Sequence, residues 1–336
     1  MAKIDLLNLE ETGMNGSLAG QKALVFGSND QGKTYQISKM PKPLLLMTEA
    51  GGNGVKCKKV AVTKWATFKD IVKQLTDEKT LEQMKEAYFT IIIDTLENLV
   101  GLAEQAACTE FGVRDLSEIN GRQNGYSIYR KDFKTQVNKL CSAGYFVVFI
   151  DHEETVELED PVNGEEYNFV QPKGSGNIKS STRFVRDMCD FVVYAYGASL
   201  DENGDTIPST LLCKQNKHAF ARSRYAIQTF VKPFTAKNFE DAIIKAIEKS
   251  ASDEGANLSD WKPDTTDYTA QDWIDMISPY YKAIYKKDSE KAKAIVENEL
   301  GAGAKVSKAT NEQKMELENI YNQMVTHACD MGLVVE

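Results

Sequence analysis

Residues 24–34 read LVFGSNDQGKT. An apolar run breaks off at Gly27, and a Gly-Lys-Thr follows five residues later. The stretch Gly27, Ser28, Asn29, Asp30, Gln31, Gly32, Lys33, Thr34 fits the spacing G-x-x-x-x-G-K-[ST], with Tyr35 next. That spacing has a physical reason. Glycines let a loop wrap tightly, so that successive backbone N–H groups face phosphate oxygens. A helix starting near Gly32 adds the positive end of its dipole. Lys33 is placed to reach the β- and γ-phosphates, and the Thr34 hydroxyl to ligate Mg²⁺. The chance of such a match in a chain of this length is on the order of 1%. Residues 27–35 are therefore expected to hold ATP with Mg²⁺.

A loop of this kind sits between a strand and a helix, and the surrounding chain supplies both. Short apolar runs at 23–26, 44–47, 60–62, 89–94, 145–150 and 191–196 read as strands, as do 210–214 and 226–230. TIIID and YFVVFID are apolar at consecutive positions, the pattern of strands covered on both faces. Helix-like segments at 33–39, 67–75, 80–86, 96–111 and 129–143 alternate with them. The class is α/β with a mainly parallel sheet flanked by helices. The last two strands lack helices between them and are expected to form an antiparallel edge. Residues 157–186 read as a long loop, opening with the turn signal EDPVNGEEY and continuing through QPKGSGNIKSSTR.

A phosphate loop needs a second metal-holding group on a neighbouring strand. FTIIIDTLENL provides Asp94 at a strand end. Thr95 follows it, where many such ATPases carry a water-activating Glu. The strand LLLMTEAGG offers one instead: Glu49, at the carboxyl edge of the sheet, where a carboxylate can deprotonate water.

Charge bounds the partners. The 336 residues carry a net charge of −9. By position, 16 acidic and 9 basic side chains fall after residue 250, leaving a nearly neutral remainder. This excludes a polycationic nucleic-acid coat but not a local basic groove. Six scattered cysteines without a C-x-x-C pair read as buried thiols of a reducing compartment. No apolar stretch reaches the length of a membrane span, so a soluble, cytoplasmic protein is expected. Three regions are expected: residues 1–250, a polar linker at 251–265, and an acidic helical module at 266–336. Ser289 and Thr310 are plausible N-caps in that module, and Gly301 a plausible C-cap.

GSNDQGKT, LLLMTEAGG and TIIIDTL, in that order, resemble the RecA-like P-loop ATPases. The resemblance spans about residues 20–250 and implies a RecA-like core. It implies Lys33 and Glu49 as catalytic groups and Thr34 and Asp94 as Mg²⁺ ligands. It also implies a γ-phosphate sensor at the end of YFVVFIDHEE, where Asp151 and His152 stand; His152 takes the role, although the family often has Gln or Asn there. The glycine-rich stretch after it is similar to the mobile DNA-binding loop of recombinases, which would place Lys173, Lys179 and Arg183 on single-stranded DNA. LLCKQNKHAFARSRYAIQTF is similar to the strand that sends cations into a neighbouring protomer's ATP, with Lys214, Lys217, Arg222 and Arg224 as candidates. Overall the chain looks like a compact phage-type version linked to recombination and strand annealing: an ATPase with ATP at a self-association interface. Other readings remain open: a P-loop ATPase or ATP switch acting on a protein partner without DNA, a nucleotide or small-molecule kinase, and, for the C-terminal module, a protein partner, competition with DNA for a basic groove, or a packed structural appendage.

Overall fold

The computed structural model describes residues 13–49, 54–119, 124–176, 181–261 and 268–333. The chain divides into one unit of Thr12–Asp264 and a smaller one that includes Thr265–Glu336.

In chain order the elements of the larger unit begin with β1 (Lys22–Phe26), α1 (Lys33–Ile37), β2 (Pro43–Met47) and β3 (Lys58–Ala61). There follow α2 (Trp65–Leu75), α3 (Leu81–Ala87), β4 (Thr90–Asp94), α4 (Leu96–Phe111), α5 (Gly125–Ser142) and β5 (Phe146–Asp151). Next come β6 (Glu153–Glu159), β7 (Glu166–Pro172), α6 (Arg183–Met188), β8 (Phe191–Tyr196) and β9 (Thr210–Leu212). Short strands β10 (Arg222–Ser223) and β11 (Phe230–Val231) precede α7 (Ala236–Glu254).

The central sheet runs β3-β2-β4-β5-β1-β8, all parallel, as its consecutive apolar runs require. Alternate residues serve opposite faces. Leu24, Phe26, Ile91 and Ile93 pack with Trp65, Phe68, Leu99 and Phe133 of α2, α4 and α5. Ala23, Val25 and Ile92 pack with Ile37 and with Phe239, Ile243 and Ile247 of α7. Full burial of each such aliphatic side chain contributes about 1.5–3 kcal/mol, which is what holds both helical layers to the sheet. β9 and β11 extend the sheet as the expected antiparallel edge. Residues 226–229 are irregular rather than strand, and only Phe230–Val231 pairs.

Several expectations change. Most of the long loop is an antiparallel hairpin, β6 with β7, in register from Glu153↔Pro172 to Glu159↔Glu166. The hairpin-like turn EDPVNGEEY is legible in the sequence; the strands beside it lack a consecutive apolar run, and their polar–apolar alternation is that of half-exposed strands. Helix α7 was missed, although Thr235 caps it through Asn238 N (3.1 Å) and Phe239, Ile243 and Ile247 recur at helical spacing. It also runs through residues 251–254, and Leu258–Ser259 pairs in parallel with Met14–Asn15. Gly144 leaves room for the Trp261 ring, which a Cβ there would meet at 2.9 Å. The described part of the expected linker is thus packed chain.

In the smaller unit, α8 (Ala270–Lys287), α9 (Ser289–Leu300) and α10 (Lys314–Asp330) bury Ile277, Ile284, Ile295, Leu317, Ile320 and Met324 among themselves. Asp288, not Ser289, caps α9, accepting from Lys291 N at 2.9 Å. Gly301 stands at its C-terminus, and Thr310 caps a single 3-10 turn. No helix among the described residues is long and apolar enough to cross a membrane.

Candidate functional site

The site lies at the carboxyl edge of the parallel sheet, where β1, β2, β4 and β5 end. After Phe26 the chain turns at Gly27 so close to β8 that a Cβ would lie 2.2 Å from the Ala195 carbonyl oxygen. Asp30 (φ 63°) and Gly32 (φ 72°) adopt left-handed backbone, the alternation from which anion-binding nests are built. The loop is tied down laterally. Gln31 Oε1 accepts from Ala198 N at 2.9 Å, and Gln31 O accepts from Ser209 Oγ at 2.8 Å. The helix that follows is shorter than expected, Lys33–Ile37, with residues 38–40 continuing as turns. Tyr35 is half exposed on it, with the Lys39 ammonium 3.6 Å from its ring centre.

Lys33 is buried and its Nζ donates to Gly27 O (2.7 Å) and Ser28 O (2.6 Å). Burial pushes its pKa down, while Asp94, Glu153, Asp151 and Asp30 pull it up. The Thr34 hydroxyl donates to Asp94 Oδ2 at 2.6 Å, across the intervening strand β5. Burial raises the Asp94 carboxyl above the ordinary range, opposed by the Thr34 hydrogen bond and raised further by Glu49.

Glu49 follows β2 and is fixed by neighbours the sequence did not reveal. Thr48 Oγ1 accepts from Thr95 N (2.7 Å) and donates to Thr95 O (2.9 Å), locking the ends of β2 and β4 together. Asn98 Nδ2, one turn into α4, donates to Glu49 Oε2 at 3.0 Å. His152 Nε2 stands 4.0 Å from Glu49 Oε1. Glu49, Asp94 and His152 therefore meet at one edge, as their strand-end positions imply. Asp151, beside His152, is fully buried. Its Oδ1 accepts from His152 N, and its Oδ2 has no partner among the described residues; burial raises its pKa well above the usual carboxylate range. Glu153 adds another carboxylate near Lys33, with a buried, unpartnered Oε2. Glu153 escaped the sequence reading because only the turn from β5 into β6 brings it to the loop.

This donor set fits Mg²⁺–ATP. One buried ammonium faces four carboxylates, two of them raised by desolvation, and a divalent cation relieves such a cluster. The paired Thr34 hydroxyl and Asp94 carboxylate supply the hard oxygens that Mg²⁺ takes.

Of the remaining candidates, Lys173 borders the site, its N donating to His152 O at 2.9 Å. Lys173 Nζ pairs with Glu97 Oε2 at 2.9 Å, and Arg183 with Asp187 at 3.7 Å. Lys179 lies outside the described residues. None of the four candidate trans cations has a polar contact with its own chain's phosphate loop. Arg222 and Arg224 sit by the amino end of β8, donating to Asp187 O (3.4 Å) and Asp190 Oδ1 (3.0 Å). Lys217 lies 3.9 Å from Asp160 of the hairpin, and Lys214 is exposed beyond β9. Among the described residues no cluster of His, Cys, Asp and Glu forms a further metal site, and all six cysteines are free.

Comparison with known proteins agrees with this geometry. A family model described as an AAA domain matches residues 19–225. The SPbeta prophage-derived protein YorG of Bacillus subtilis (strain 168) is 30% identical over 318 residues, which is 92% of this chain and 94% of the relative. With its phosphate loop, its Thr34–Asp94 pair and this match over more than half its length, the chain belongs to the AAA domain family of P-loop ATPases.

Proposed function

We propose that this protein is a Mg²⁺-dependent ATPase, phage-encoded like its YorG relative by name, whose copies self-associate and act on single-stranded DNA in recombination or strand annealing. The observation that carries the ATPase reading is the 2.6 Å Thr34–Asp94 contact with Glu49 on the adjacent strand end. In this reading Thr34 and Asp94 hold Mg²⁺, which when bound neutralises charge on the phosphates. Lys33 leaves its loop carbonyls for phosphate oxygens. Asn98 occupies Glu49 Oε2, so Oε1 is the atom that takes the proton of the attacking water. His152, beside Oε1, senses the phosphate end. Lys214 is the best placed trans cation of the four, being exposed and without an acidic partner among the described residues.

Substituting Glu49→Gln tests the catalytic half. Hydrolysis is expected to fall by about 10²–10⁴ with ATP binding retained; an unchanged rate removes Glu49 as the base. The DNA half rests on the family resemblance and the position of residues 173–186. Affinity for an oligonucleotide should fall steeply between low and physiological salt. A second reading, an ATPase or ATP switch on a protein partner, is favoured by one observation. Lys173 and Arg183 are held by acids, and residues 153–172 contain seven acidic and no basic side chains. Absence of oligonucleotide binding with ATPase activity intact decides for it.

A further inference from the structure

The β6–β7 hairpin carries an unusual tip. Its turn, Asp160–Glu165, places Val162 at 92% exposure, the highest of any large hydrophobic side chain among the described residues. Leu158 is also exposed, at 38%. Around them stand Glu157, Glu159 and Glu166, all exposed, while Asp160 and Glu165 hold the turn by accepting from Val162 N (2.9 Å) and Asn163 Nδ2 (3.0 Å). The tip is thus an apolar knob flanked by carboxylates, one of which, Asp160, has Lys217 3.9 Å away.

The C-terminal module carries a cavity of the opposite charge. Between α8, α9 and the segment 304–307 lies a cavity of about 270 Å³. Half-buried Tyr281 and Val306 form its apolar floor, laid over the buried Ile277 and Val296. Its rim holds Lys282, Lys293 and Lys305, all exposed. Lys282 and Lys305 have no acidic partner among the described residues, and Lys293 faces the Tyr285 ring at 5.7 Å. Glu297 is the sole lining acid, and its Oε1 is engaged by Gly303 N at 3.1 Å. A basic rim is conspicuous in a region with 16 acidic and 9 basic residues. The volume is below the roughly 300–1,000 Å³ of small-molecule sites and suits one or two side chains of a protein turn.

We propose that the hairpin tip of one copy docks in this cavity of a second copy, with Val162 on the apolar floor and Glu159 and Glu166 facing Lys282 and Lys305. Such a contact is heterologous, so it builds a ring or an open filament. It rests on the proposed self-association but not on hydrolysis or DNA binding.

Sedimentation velocity of the full chain, with and without ATP and Mg²⁺, tests it. At low salt, Val162→Asp, Glu159→Lys with Glu166→Lys, and Lys282→Glu with Lys305→Glu should each weaken association at least about tenfold, a loss of about 1.4 kcal/mol. Mixing the hairpin-reversed and cavity-reversed proteins should restore it. Association indifferent to these changes, or not restored by the mixture, overturns the docking while self-association stands. A protein that stays monomeric throughout overturns both, and its ATPase rate is read separately. A photo-crosslinker at position 162 in a mixture of ¹⁴N- and ¹⁵N-labelled copies gives the second measurement. Cross-links to residues 277–307 of a differently labelled copy are expected; cross-links confined to one chain or to other surfaces overturn the proposal.

Discussion

At the scale of single residues, the site depends on a few side chains whose types follow from their chemistry. Lys33→Ala should abolish ATP binding or reduce turnover by at least about 100-fold, because among the described residues no other buried cation contacts the loop carbonyls; nucleotide titration and steady-state hydrolysis check this. Asp151 gives a pH signature. Its carboxyl is buried and its pKa raised, so the folded protein holds that proton more tightly than the unfolded chain. The cost to stability is small near the unfolded pKa, grows as pH rises towards the folded value, and is complete above it. Asp151→Asn keeps the acceptor for His152 N and removes that cost. It should raise Tm by a few degrees at neutral pH, with the gain shrinking as pH falls towards about 4. Parallel melting curves across pH check it; a gain that grows on acidification refutes it. Spacing singled out Lys33 and Thr34, and strand-end position singled out Asp94 and Glu49, which the fold brings to one sheet edge. Asn98 was not, because a helical Asn has no pattern until the fold sets it 3.0 Å from Glu49.

At the scale of elements, packing decides what local signals left open. Gly27→Ala would press a Cβ to 2.2 Å from the Ala195 carbonyl oxygen, where neither backbone can yield cheaply. The loop should lose nucleotide affinity and the fold about 1–3 kcal/mol, measurable by denaturant titration beside ATP binding. Helix α7, with Ile37 of α1, covers one face of the sheet, so Ile243→Ala, at a fully buried position, should cost about 2–5 kcal/mol. A cost under 1 kcal/mol would mean that α7 is not the cover for β1 and β8. The hairpin shows the opposite case. β6 and β7 pair along seven positions, yet most of β6 is exposed, so its sequence lacks the apolar run that marks the central strands.

For the whole molecule, ligand and fold are linked. A nucleotide that binds only the folded state should raise stability by about 2.7 kcal/mol at 100 times its Kd. The Mg²⁺-dependent share of that gain should vanish in Asp94→Asn, read from Tm with ATP in the presence and absence of Mg²⁺. Equal shifts in both proteins would show that Asp94 holds no metal. The amino-acid sequence by itself determined the phosphate loop, the parallel sheet and the acidic group facing Thr34. These are short-range patterns, written in spacing and in runs of consecutive apolar residues. Tertiary structure alone decided that Glu153 reaches the neighbourhood of Lys33, that Lys173 is neutralised by Glu97, and that a hairpin replaces the expected loop. Each of these joins residues through strand ends and turns whose direction is set by burial on both sheet faces, and no local pattern encodes that direction.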